Sequence, residues 1–131
     1  MWPIEGFTAS ALPVDVVSLD AQRQGAWITW SDLGAGESYF STRLYYFDGQ
    51  QVDQLYQVDF SDNYGVCGAQ SQRICQGDDI YIQSYWHPTQ APINQYQFLQ
   101  TRIHYQGIES DALQIKSIQT HIKSLTTQQL Q

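Results

Sequence analysis

Two runs of strand-forming residues separated by an Asp-Gly dipeptide constrain the fold of this chain more than any other feature. Val, Thr and aromatic side chains are frequent in Tyr39–Phe47 and again in Gln51–Phe60, and such residues favour extended backbone. Between the runs lie Asp48 and Gly49, a dipeptide that accepts the positive φ angles of a tight hairpin turn. The sequence therefore predicts an antiparallel β-hairpin.

The register of this hairpin decides which of its side chains are buried. A strict two-residue turn places Leu44 opposite Asp53 and mixes apolar with charged residues on both faces. A three-residue connection places Phe40 opposite Val58 and leaves Asp53 and Asp59 on the other face. Because a slip of one residue exchanges the two faces of a strand, we favour the three-residue connection.

Similar runs, bounded by Gly, Pro, Asn and Asp, recur along most of the chain and predict further strands. The candidates are Val14–Leu19, Ala26–Trp30, Ile80–Trp86 and Gln95–Tyr105. Periodic stretches suited to crossover helices are missing between them, which argues against a parallel α/β fold. We predict a mainly β (α+β) protein with an antiparallel sheet of about five to seven strands. At 131 residues the chain suits a single domain, residues 1–131.

In the last quarter of the chain the spacing of apolar residues changes. Ile115, Ile118, Ile122 and Leu125 recur at intervals of three and four, the spacing that lines one face of an α-helix. Ser110 is a suitable N-cap residue. We therefore predict one C-terminal helix packed on the sheet. The alternative is a β-sandwich in which this segment is another strand, since three isoleucines weaken helix propensity.

The two cysteines indicate the compartment in which the protein works. Cys67 and Cys75 are separated by seven residues, several of them tolerant of turns, so the segment can double back and join the two sulfurs. Disulfides persist in oxidising compartments. We therefore predict a disulfide between Cys67 and Cys75 and a periplasmic or secreted protein.

The balance of charge argues against nucleic acid as a partner. The formal net charge is −7, and residues 1–100 hold eleven acidic but only three basic residues. Such a surface repels phosphate backbones and anionic lipids. No stretch approaches the roughly eighteen consecutive apolar residues of a membrane-spanning helix. We expect a protein that binds no nucleic acid and does not span a membrane.

Motifs for catalysis or for metal binding are not found in the sequence. The three histidines lie on different predicted elements and lack the short spacings of a zinc site. The acidic pairs Asp59/Asp62 and Asp78/Asp79 do not fit a helix-loop-helix calcium site. No Gly-x-Ser-x-Gly elbow occurs, and the glycines around Ala35 indicate a turn. We therefore expect no enzymatic activity, no metal and no cofactor.

Acidic and aromatic residues together suggest a docking surface. On an extended strand Tyr81 and Tyr85 share one face while Ile80 and Ile82 share the other, which predicts a half-exposed tyrosine stripe. Carboxylates speed association with cationic proteins, and Tyr and Trp supply apolar anchors. The candidate binding residues are Asp53, Asp59, Asp62, Asp78, Asp79, Tyr81, Tyr85 and Trp86.

The favoured hypothesis is a non-enzymatic, extracytoplasmic protein-binding module of the inhibitor or immunity type. Its partner would be a basic protein, for example an enzyme acting on the cell wall or a toxin. One alternative is a carbohydrate-binding module in which Trp27, Trp30, Tyr85 and Trp86 stack on sugar rings. Another is a structural subunit of an envelope assembly that pairs with its neighbours through an exposed strand edge.

Overall fold

The computed structural model describes residues 10–11, 15–19, 23–47, 49–84 and 95–126, which form eight β-strands. The strands are β1 (Ser10–Ala11), β2 (Asp15–Ser18), β3 (Gln24–Gly34), β4 (Glu37–Phe47), β5 (Val52–Asp62), β6 (Cys75–Ser84), β7 (Gln95–Gly107) and β8 (Gln114–Thr126). No helix occurs in these ranges, and hence none that is long and apolar enough to cross a bilayer.

All described strands belong to one antiparallel sheet. From β3 to β8 each strand pairs with the next one along the chain. The short strands β1 and β2 both pair with β3, at Ser31 and Trp30 for β1 and from Gln24 to Trp27 for β2. Because β4 occupies the other side of β3, these two strands share one edge position. The predicted mainly β, antiparallel architecture is confirmed.

The sheet folds back on itself where β5 meets β6. Among the described residues these two strands pair only at Asp62 and Gly77, so β3, β4 and β5 form one layer and β6, β7 and β8 form a second. Aromatic residues fill the space between the layers: the ring of Phe98 lies 5.0 Å from those of both Trp27 and Tyr56. The fold therefore has the two packed layers of the sandwich alternative, but both belong to one hydrogen-bonded sheet.

Apolar side chains from both layers form the core. Leu44 of β4 and Phe98 of β7 are fully buried, and Leu19 is nearly so. Trp27 donates a hydrogen bond from Nε1 to the hydroxyl oxygen of Tyr96 at 3.0 Å, which satisfies a polar group that would otherwise be costly to bury. Contacts of this kind fix how one layer lies on the other.

The predicted C-terminal helix is wrong, because the segment forms β8. It pairs with β7 along its length, and Ile118 lies opposite Ile103 and Ile122 opposite Leu99. A spacing of four residues keeps Ile118 and Ile122 on one face of a strand as well as of a helix, so these two did not distinguish the structures. Leu125, three residues further on, falls on the opposite face and enters the core at 4% exposure.

The predicted hairpin of β4 and β5 is confirmed, but the predicted register is wrong. Phe47 pairs with Val52, so four residues connect the strands. A bulge next to Leu44 then shifts the register again, and Leu44 faces Tyr56. The bulge adds one residue to β5 and restores Leu44 and Val58 to the buried face. Gly49 has a φ of 101°, as the predicted turn requires.

Two glycines hold the loop after β5 against the turn between β3 and β4. The amide of Gly65 donates to the carbonyl oxygen of Gly36 at 3.0 Å. Gly36 has a φ of 82°, and a Cβ atom there would lie 2.1 Å from a methyl carbon of Val66. The loop then continues to Cys67, which forms the predicted disulfide with Cys75 at the start of β6. The disulfide is therefore confirmed and closes the connection from β5 to β6.

Candidate functional site

A groove opens where β5 and β6 diverge beyond their single pairing. It consists of two adjoining cavities of about 420 Å³ and 260 Å³ that share Ser61 and Asp78. We call this the β5–β6 groove. Its charged lining residues are Asp32, Glu37, Arg43, Asp59, Asp62, Arg73, Asp78, Arg102 and His104.

The charge cluster at the base of the groove is built across the ladder of β6 and β7. Asp78 and His104 are opposite each other in this ladder, and Arg102 shares their face because it lies two residues before His104. Arg102 Nη1 lies 2.5 Å from Asp78 Oδ2, and His104 Nδ1 lies 2.6 Å from Asp78 Oδ1. Arg102 also donates from Nη2 to the carbonyl oxygen of Asp59 at 3.0 Å. One guanidinium thus joins β7 to β5 across the gap.

The adjacent carboxyl groups of β6 respond to their surroundings in opposite ways. Partial burial opposes ionisation of Asp78, but the hydrogen bonds from His104 and Arg102 outweigh it and lower the pKa of Asp78. Asp79 points to the other face of the strand. Partial desolvation raises the pKa of Asp79, and the nearby carboxyl groups of Asp62 and Asp78 add to the increase. Asp78 is therefore the more firmly ionised of the two.

Several carboxylates at the groove keep their charge available to a ligand. Arg102 is engaged by Asp78, and Arg73 Nη2 lies 3.9 Å from Glu37 Oε1. In the described part of the chain no salt bridge joins Asp32, Asp59 or Asp62 to a cationic side chain. Asp59 is exposed and accepts hydrogen bonds from the amide of Gln57. The groove consequently presents net negative charge.

Aromatic rings line the same groove. Phe40 of β4 and Phe60 of β5 are opposite each other in the ladder, and their rings stack with centroids 4.9 Å apart and an angle of 15°. Tyr39 is 46% exposed and donates a hydrogen bond from its hydroxyl to Glu37. A cationic side chain with a long apolar stem fits such a lining, because the stem packs on the rings while its charge meets carboxylates.

The structure brings together three of the sequence-predicted binding residues. Asp59, Asp62 and Asp78 line the β5–β6 groove. Asp79 and Tyr81 lie on the outer face of β6, where Tyr81 is 55% exposed. Asp53 lies near the other end of β5, paired with Tyr46. Tyr85 and Trp86 lie outside the described residues.

Other groove residues were missed by the sequence analysis. Arg102 and His104 are two residues apart on one strand, which places them on one face, but nothing in the sequence pairs that strand with the Asp78 strand. Phe60 was seen only as a strand residue, and Asp32 was assigned no role. The acidic composition predicted the charge of the site, while its location depends on the separation of β5 from β6.

Features of the described residues bear on catalysis, metal binding and sugar binding. Ser61 lines the cavity that contains Asp78 and His104, but no hydrogen bond joins Ser61 to His104 among the described contacts. Within the described ranges no group of three or more His, Cys, Asp or Glu residues is placed to hold a metal ion. Trp27, proposed above as a sugar-stacking residue, is only 6% exposed and belongs to the core.

Comparisons with models of protein families, with curated proteins and with solved structures found no match for this chain.

Proposed function

We propose that this protein is a non-enzymatic, extracytoplasmic binding module of the inhibitor or immunity type, and that a Lys or Arg side chain of a basic protein partner enters the β5–β6 groove. The observation that carries the proposal is the difference between the groove's own cations and its carboxylates. Arg102 is held by Asp78, Arg73 lies 3.9 Å from Glu37, and Arg43 donates from Nε to Ser41 Oγ at 2.9 Å. The carboxylates of Asp32, Asp59 and Asp62 thus supply the attraction for a further cation.

The aromatic lining of the groove favours a side chain over a free cation. Guanidinium and ammonium groups bind to the faces of aromatic rings, and the attraction adds roughly 0.5–1 kcal/mol at exposed sites. Tyr39 lies opposite Asp32 in the ladder of β3 and β4 and lines the same cavity as Asp59. A planar guanidinium can lie against such a ring while it donates two hydrogen bonds to a carboxylate. Arginine is therefore the best-suited anchor of the partner.

The net charge of the protein supports the same type of partner. At −7 the whole chain attracts a basic protein over distances comparable to the Debye length, and such steering raises association rates strongly at low salt. The disulfide between Cys67 and Cys75 supports a periplasmic or secreted location, since thiols remain reduced in the cytosol.

The experiment compares two triple variants with the unchanged protein. The groove variant carries Asp32→Asn, Asp59→Asn and Asp62→Asn, and the control variant loses the same charge at Asp15, Asp53 and Asp111, none of which lines the groove. Each protein is immobilised and exposed to the envelope and secreted fractions of the cell that makes it, and the partner's association rate is then measured from about 20 to 500 mM salt.

The proposal predicts a basic partner that the unchanged protein and the control variant both retain. The groove variant should bind it at least about tenfold more weakly, which corresponds to about 1.4 kcal/mol. Association of the unchanged protein should slow steeply as salt rises. Equal binding by the two triple variants, or a captured partner that is acidic or a polysaccharide, would show that the groove does not have this function.

A further inference from the structure

The strand β8 leaves one of its edges and one of its faces without a partner in the described chain. It pairs with β7 along one side, and no described residue pairs with the other side. On its outer face Ile115, Ile118 and Ile122 are 55%, 58% and 58% exposed. The apolar band continues onto β7, because Ile103 and Leu99 lie opposite Ile118 and Ile122.

Long exposed edges with an apolar face are sites of strand pairing between chains. β8 has thirteen residues, and roughly every second residue of an antiparallel edge strand turns its N–H and C=O groups outward. Its ladder with β7 is regular from Ser117 to Ser124 and onward, whereas a bulge interrupts it before Ser117. The regular segment is the part that can accept a further strand without distortion.

We propose that a second copy of this chain pairs with β8 about a two-fold axis at Thr120. The two layers of β6, β7 and β8 then join into one six-stranded sheet with a continuous apolar outer face. An axis perpendicular to an antiparallel sheet requires one residue to lie directly opposite its own copy, so only a few registers need to be compared.

An axis at Thr120 pairs the regular residues 117–123 of the two copies with each other. It places Ile118 of each copy opposite Ile122 of the other, which produces two cross-strand isoleucine pairs. An axis at Gln119 would instead place Ile122 opposite Lys116, and one at His121 would place it opposite Thr120. An axis at Ile118 or at Ile122 would give a single isoleucine pair.

The charges of β8 fit the same register. Of its two lysines, Lys123 would lie opposite Ser117 of the second copy, while Lys116 lies at the bulge, outside the regular segment. Neither lysine meets another lysine, and like charges directly opposite each other destabilise a strand pair. The remaining pair joins His121 to Gln119. Every polar residue of the regular segment thus meets a neutral polar residue or a lysine that can hydrogen-bond to it.

The expected dimer is weak and leaves the β5–β6 groove accessible. A regular segment of seven residues about Thr120 extends about 24 Å, and an interface of this length lies at the small end of specific protein contacts. β8 lies two strands away from β6 in the sheet, so pairing at its edge does not cover the groove. Each dimer would carry two grooves, and the inference does not depend on what the groove binds.

Single-cysteine variants test the register. Thr120 and Thr101 face each other in the ladder of β8 and β7, and their hydroxyl oxygens are 3.0 Å apart. In the proposed dimer the Thr120→Cys variant has its two new cysteines directly opposite each other across the axis. Their Cα atoms then lie within the distance of about 4.4–6.8 Å that a disulfide needs. The control Thr101→Cys places its sulfurs about 14 Å apart, which is three strand spacings.

Mild oxidation should therefore crosslink the Thr120→Cys variant into a dimer that is visible by non-reducing mass spectrometry, with the bond between residues Cys67 and Cys75 intact. The Thr101→Cys variant should remain monomeric. Equal crosslinking of the two variants, or none in either, would overturn the register.

Charge variants test the association itself. In sedimentation equilibrium the unchanged protein should show a reversible monomer–dimer equilibrium. Thr120→Lys should weaken it by about tenfold, because it opposes two positive charges across the axis. Thr101→Lys removes the same hydrogen bond without this repulsion and should leave the equilibrium nearly unchanged. Circular dichroism checks that both variants are folded. A protein that remains monomeric at the highest soluble concentration overturns the proposal.

Discussion

Replacement of Asp78 by Asn tests the charge cluster on which the β5–β6 groove depends. The amide has nearly the shape of the carboxylate but carries no charge, so the variant changes electrostatics more than packing. Asp78 accepts one contact from Arg102 at 2.5 Å and one from His104 at 2.6 Å. Its side chain is 24% exposed, and the side chains of Arg102 and His104 are 33% and 31% exposed.

The expected loss in the free energy of unfolding can be worked out from these two contacts. Hydrogen bonds to charged groups contribute roughly 1.5–3 kcal/mol when buried, whereas exposed ion pairs contribute about 0–1 kcal/mol. The cluster lies between these limits, at about 1 kcal/mol for each contact after screening by solvent. We therefore expect Asp78→Asn to lower the free energy of unfolding by about 2 kcal/mol at pH 7.

The dependence on pH separates loss of charge from loss of packing. The pKa of Asp78 is lower in the folded protein, so its contribution is present above the unfolded pKa of about 3.9 and is lost as pH falls through the lower, folded value. Urea unfolding followed by tryptophan fluorescence, from about pH 2 to pH 7, should show the variant and the unchanged protein converging in acid. Asp53→Asn is the control, with an expected change of less than about 0.5 kcal/mol.

A destabilisation by Asp78→Asn that stays the same across the whole pH range would refute this reasoning. It would mean that the amide disturbs packing and that the ion pairs contribute nothing measurable. A loss as small as that of Asp53→Asn at pH 7 would also mean that the ion pairs contribute nothing measurable.

Three further perturbations should have the following effects. Asp79→Asn should raise the free energy of unfolding at pH 7 by up to about 0.5 kcal/mol, since the raised pKa of Asp79 makes its ionised form unfavourable above that pKa; the gain should vanish in acid urea titrations. Replacing Cys67 and Cys75 by Ser should lower the free energy of unfolding by about 2.5 kcal/mol relative to the disulfide-bonded protein, by the loop-closure relation. The unchanged protein with its disulfide reduced is the control and should be destabilised equally. Phe98→Ala removes a fully buried ring between the layers and should cost about 3–5 kcal/mol, whereas Tyr81→Ala on the exposed outer face should change thermal stability little.

Local chemistry was enough to predict most of the strands. Turn residues and β-branched or aromatic runs act over a few residues, and the predicted hairpin at Gly49 appears with the expected positive φ. The register was not predictable in the same way. It depends on a bulge beside Leu44, which adds a residue to β5 so that Leu44 and Val58 both face the core. The bulge is favoured because it buries Leu44 and Val58 against the second layer. The second layer comes from a later part of the chain, so the sequence of the hairpin alone does not predict the bulge.

The C-terminal segment shows a different limit. Intervals of three and four among Ile115, Ile118 and Ile122 match a helix, but the β-branched side chains favour a strand. Pairing with β7 favours the strand over the helix, because β7 is a long partner strand with Ile103 and Leu99 on the same face as the isoleucines of β8. Without β7, a helix satisfies the backbone of this segment by itself; with β7, the strand does so and also pairs its isoleucines. Tertiary pairing therefore overrode the periodicity.

The groove depends on Gly77, a residue without a side chain. Asp62 and Gly77 form the single pairing between β5 and β6 in the described chain. A Cβ atom at position 77 would lie 2.5 Å from Cβ of Asp62 and 2.7 Å from the hydroxyl oxygen of Tyr64, so only glycine permits this approach. Beyond it the strands diverge, and Arg102 bridges the gap to the carbonyl oxygen of Asp59. A larger residue at position 77 would push the layers apart where β5 and β6 pair in the described chain, and the carboxylates of the two layers would no longer face a common cavity.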